Sequence, residues 1–131
     1  MFPPKPPKGA DPRMYFFLFL LTLGTTLGYQ GWTLLYTNFA VESAHLSAAD
    51  NGLVQSLREV PGLLGFLIIP LLLVMKEHRV AAVAALATGL GTALTGFFPS
   101  FVPVILTTLL MSFGFHFFEA VNQSLLLQYF D

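Results

Sequence analysis

Ser112, His116, Glu119 and Gln123 recur along "MSFGFHFFEAVNQSLLLQ" at i, i+4, i+7 and i+11. On a helix that spacing lines up a hydroxyl, an imidazole, a carboxylate and an amide on one stripe. Such groups can relay a proton or bind a polar solute. The opposite side of that helix is Phe, Leu and Val, the composition of a lipid-facing surface. A carboxylate at the centre of such a helix costs several kcal/mol. Glu119 must therefore be paired, hydrated or protonated, and its stripe must face a partner helix or a water-filled cavity.

Two other stretches carry comparable groups. Thr26, Gln30, Thr33 and Thr37 form a second stripe, with Tyr29 and Tyr36 one heptad apart beside it. The threonines read as hydrogen-bonding glue between helices. Tyr29 and Gln30 read equally well as ligand contacts. In "SLREVPGLLGF", Arg58 lies about 16 Å from the start of its helix, too deep to snorkel to the surface. It is either half of a structural ion pair with the adjacent Glu59 or a cation in a substrate pathway. Pro61 deletes a backbone hydrogen bond and predicts a kink, and Gly62 and Gly65 admit another backbone. No metal-ligand spacing, nucleophile motif or Gly-rich phosphate loop is present, so neither an enzyme nor a metal or cofactor is expected. His116 alone makes no metal site, and His45 and His78 fall in connections.

The elements that must position these residues follow from composition. The 131 residues are 55% hydrophobic and only 10% charged, where soluble domains carry about a quarter. A net charge of −1 argues against a nucleic-acid partner, and the absence of cysteine excludes disulfides and thiolate chemistry. The long apolar runs predict an all-α, polytopic membrane protein with four transmembrane helices, at 14–39, 51–75, 80–98 and 101–128. Residues 1–13, rich in proline and carrying Lys5, Lys8 and Arg13, read as a disordered basic tail ahead of a four-helix domain over 14–131. Ser47, with Asp50 three residues on, is placed to cap the second span. The third, "VAAVAALATGLGTALTGFF", has no charge, and its small residues read as scaffold packing.

Three of the six basic residues lie in the tail and two, Lys76 and Arg79, in the "KEHR" turn, while the first and third connections have none. The positive-inside rule then puts both termini and "KEHR" in the cytoplasm.

The pattern resembles the N-terminal portion of a bacterial major facilitator superfamily transporter. A basic tail, a long connection after the first helix, a short basic turn after the second and a tight turn before the fourth carry the resemblance. So do the stretches "SLREVPGLLGF", "LTGFFPSF" and "MSFGFHFFEAVNQSLLLQ". It implies a secondary transporter in the inner membrane, with the lipid bilayer, a small solute and the remaining helices of a longer transporter as partners. The chain would be a fragment covering four of the usual twelve helices. The resemblance further implies that the first and fourth helices line a central cavity, the second joins a gate and the third sits outside. Gln30 and Glu119 would face the cavity and Arg58 the gate or cavity wall. The family signature between helices two and three, a glycine and then Asp-Arg-x-Gly-Arg-Arg, is replaced here by "GFLIIPLLLVMKEHRVA", which keeps only Lys76 and Arg79 as positive charge. Two other readings compete: a complete four-helix exporter working as a dimer, and a non-transport scaffold or assembly subunit.

Overall fold

The computed structural model describes residues 5–130 and is all-α, with 84% helix and no strand among the described residues. Five helices follow one another: α1 (Pro12–Glu42), α2 (Ala48–Leu63), α3 (Ile68–Val74), α4 (Glu77–Thr95) and α5 (Phe101–Phe130). A 3-10 turn, Gly65–Leu67, joins α2 to α3.

Local chemistry accounts for the boundaries. Asp11 caps α1 by accepting the Arg13 amide at 2.9 Å, and Pro12 occupies the first turn, where its missing N–H costs nothing. The irregular tail is thus shorter than its composition implies: a proline at this position starts a helix rather than forbidding one. Met1–Pro4 of that tail lie outside the described residues. Just before the cap, the Ala10 amide donates to the Pro7 carbonyl at 3.1 Å, and Gly9 takes φ 93°, the conformation a type II turn demands at its third residue. At its other end α1 stops where His45 enters the left-handed region, φ 51°, and the Leu46 amide returns to the Ala40 carbonyl at 2.8 Å. Ser47 and Asp50 then form a reciprocal capping box on α2, at 3.1 and 3.2 Å, as their spacing predicts.

The second span is bent, as expected, but the break lies beyond Pro61. It is two helices bent by 44° at the turn between them. The helix runs on past Pro61, whose ring is buried, and breaks at Leu64. Two causes converge there. Gly65 weakens the helix, and Pro70 cannot donate to the Phe66 carbonyl four residues back. The kink assigned to Pro61 is therefore displaced toward Pro70.

α5 is the hub, packing on α4, α2 and α1. Its tightest seam is with α4, where Gly91 and Gly114 bring the two backbones together. A β-carbon at Gly91 would lie 2.6 Å from Met111 Cα. α1 crosses α4 at Gly28, whose carbonyl accepts a hydrogen bond from Thr92 Oγ1 at 3.1 Å. The small residues of α4 pack as predicted. It is more enclosed than an outermost helix, holding both α1 and α5 while exposing Val83, Leu86 and Leu90 on its free side.

α5 alone among the described helices is long and apolar enough to cross a membrane by itself. The bent pair of α2 with Gly65–Val74 meets the same requirement as a unit. α1 falls short because threonines, glycines, tyrosines and Gln30 dilute its apolar residues. α4 falls short because it is built from Ala, Gly and Thr and begins at the charged "EHR".

Candidate functional site

The stripe on α5 divides into a covered and an open half. Ser112 is fully buried and donates a hydrogen bond to the Arg58 carbonyl of α2. His116 is half-buried with its ring over Gly62, where a β-carbon would come within 3.1 Å of Cε1. Glu119 and Gln123 are exposed and have no hydrogen-bond or ion-pair partner among the described residues. The break in the second span explains the division. α2 covers the stripe as far as Gly62. Beyond Leu64 the chain turns toward another side of α5, where Leu71 and Met75 line a cavity with Phe113 and Phe117. On a 3.6-residue helix Phe117 lies nearly opposite Glu119. The turn of α5 that carries Glu119 is thereby left open.

On α1, Tyr29 stacks on Phe115 of α5 with ring centroids 3.8 Å apart. Gln30, Thr26, Thr33 and Thr37 are exposed. This stripe lies on the side of α1 away from Gly28, the residue that meets α4. The polar residues of α1 and α5 therefore flank the α1–α5 seam on its side away from α4, with Gln30 about one helical turn from the level of Glu119. The threonines of α1 do not act as glue: Thr33 donates within its own helix, to the Tyr29 carbonyl at 2.9 Å. The threonines that bond across helices are on α4 and α5. Besides Thr92, Thr95 Oγ1 donates to Thr107 Oγ1 at 2.9 Å.

Arg58 is occupied. Its Nη2 is 2.7 Å and its Nε 3.0 Å from Glu59 Oε1. Its guanidinium carbon sits 5.4 Å above the ring centroid of Trp32, which in turn stacks on Tyr36 at 4.2 Å. The Arg58 side chain is 20% exposed and that of Glu59 57%. The structural ion pair is thus present, and it lies apart from Glu119. The Arg58 carbonyl contacts α5 at Ser112, about 10 Å along the helix from Glu119. Trp32 was not among the residues singled out by spacing. Its signal is compositional: it is the chain's one tryptophan and stands one turn from Tyr36.

The arrangement is an unpaired carboxylate with an amide one turn away on its own helix and another across the seam, beside a stacked aromatic pair. Such a group can accept a proton or the hydrogen bonds of a polar solute. Compared with known proteins, the chain matches no family model, no curated protein and no solved structure.

Proposed function

We propose that the protein is a four-span integral membrane protein of the inner membrane, with cytoplasmic termini, and part of a secondary transporter of the major facilitator type. It would move a small solute along the open side of the α1–α5 seam, coupled to protons through Glu119. One observation carries the reading: Glu119 and Gln123 are exposed and unpartnered on a helix whose other exposed residues include Leu106, Leu110 and Leu127. Lipid cannot satisfy a carboxylate, so that side of α5 must border water or further polar helices. Large apolar residues left open elsewhere, Leu34, Leu63, Leu73 and Phe97 among them, support a lipid surround.

The chain has no cysteine, which makes single-cysteine scanning clean. In membranes, cysteines at 119 and 123 react quickly with a water-soluble thiol reagent, and cysteines at 106 and 110 react slowly. Equal reactivity at all four positions would remove the basis for a transport pathway here. In the working transporter, Glu119→Gln abolishes proton-driven accumulation and keeps solute exchange. Accumulation with unchanged pH dependence would leave Glu119 without a coupling role.

A further inference from the structure

We propose that the end of the protein formed by the tail, the α3–α4 corner and the last turns of α5 docks anionic phospholipid headgroups, through Lys8, Arg13, Lys76 and Arg79. The proposal rests on the membrane reading above and adds a partner to it.

Three contacts bring these separate pieces of chain to one end. Glu77 at the start of α4 accepts from Gln128 Nε2 of α5 at 2.7 Å and from Ser124 Oγ at 3.2 Å. The rings of Tyr15 on α1 and Phe130 on α5 meet edge to face at 5.5 Å. Lys8, Gly9 and Ala10 line a small crevice with Tyr129 and Phe130, so the Gly9 turn holds Lys8 beside the end of α5.

The charge at this end is one-sided. Lys5, Lys8, Arg13, Lys76 and Arg79 are all exposed. Of the carboxylates among the described residues there, Asp11 is engaged as a helix cap and Glu77 is tied to α5. The opposite end has no lysine or arginine; it carries Glu42, and Asp50 in its capping box. Phosphate-bearing ligands of many kinds would be attracted to the cations. What selects a lipid is the surface immediately next to them. Leu73 and Val74, 83% and 79% exposed, lie within three residues of Lys76, and Leu127 is open in the last turns of α5. A cationic rim above an apolar belt fits a molecule with an anionic head and acyl chains. Tyr15 and Tyr129 at the same level match the preference of amphipathic rings for the headgroup layer.

The test is competition between phosphatidylglycerol and phosphatidylcholine of matched acyl chains for the full chain in detergent micelles, read as retained lipid by native mass spectrometry. Phosphatidylglycerol is retained preferentially. The preference falls by about fivefold for each cation removed in Lys8→Gln, Arg13→Gln, Lys76→Gln and Arg79→Gln. It weakens with added salt and is unaffected by Glu42→Gln at the far end. Equal retention of the two lipids, or a preference that survives the fourfold variant, overturns the proposal. So does inorganic phosphate displacing the lipid at equal concentration, which would assign the rim to free anions. Alkaline extraction of the chain from vesicles of either lipid overturns the membrane reading itself, a result distinct from a chain that stays embedded without lipid preference.

Discussion

Gly114 of α5 lies directly against Thr88 of α4: a β-carbon at 114 would sit 2.5 Å from the Thr88 amide nitrogen and 2.5 Å from the Ala84 carbonyl oxygen. Both obstacles are main chain and cannot rotate aside. Gly114→Ala therefore pushes α4 and α5 apart and costs about 3 kcal/mol. Gly91→Ala, facing the main chain of Met111, costs a similar amount. Gly24→Ala meets nothing within 4 Å and changes stability by less than about 1 kcal/mol, in the favourable direction. Unfolding in detergent, followed by helical circular dichroism, separates the three variants. Equal effects would mean the α4–α5 seam is looser than described.

His45 holds φ 51° without being glycine. A non-glycine residue in that region is strained by about 1–2 kcal/mol. His45→Gly is expected to stabilise the chain by about 0.5–1 kcal/mol, and His45→Val to destabilise it by more than that. A midpoint shift of the opposite sign for the glycine variant would show that the His45 side chain contributes more than its backbone costs.

The Arg58–Glu59 pair has good geometry and poor burial. With Glu59 57% exposed, a double-mutant cycle on the pair should return a coupling of less than about 1 kcal/mol. Arg58→Ala should cost more than Glu59→Ala, because it also removes the cation from the face of Trp32. A coupling above about 2 kcal/mol would mean that Glu59 is shielded by surroundings other than water.

Glu119 separates a transport role from a structural one without any substrate. The side chain makes no hydrogen bond or ion pair among the described residues, so Glu119→Leu should leave the isolated chain as stable in a bilayer, or stabilise it by about 1–3 kcal/mol. A loss of stability would identify Glu119 as helix-holding glue.

Sequence pattern reads local chemistry better than the relative placement of helices. The capping box at Ser47 and Asp50 was legible because both partners lie within one turn. So was the packing role of the small residues of α4. The position of the break, after Leu64, was not, because it depends on Gly65 and on the amide hydrogen that Pro70 lacks, while Pro61 offered a more obvious cause. The position of the break also governs the site. Ser112, His116, Glu119 and Gln123 share a stripe, as their spacing requires, yet they do not share an environment. Where α2 leaves α5 decides which of them are covered, and spacing within one helix holds no information about that. The threonines of α1 failed for a related reason. A threonine can bond its own helix as readily as a neighbour, and Thr33 does.

α4 is 19 residues long, whereas α1 has 31 and α5 has 30. At 1.5 Å per residue these are lengths of about 28, 46 and 45 Å, against a hydrocarbon thickness of about 30 Å. In the four-span reading α4 matches the bilayer while its two packing partners overreach it. The glycine contacts lock α4 to α5, so α5 cannot tilt far without dragging α4 out of register with the membrane. The surplus length of α1 and α5 must then be taken up by projection beyond the acyl layer. In that reading the protein would suit thin membranes, and a thicker bilayer would strain α4 before either of its neighbours.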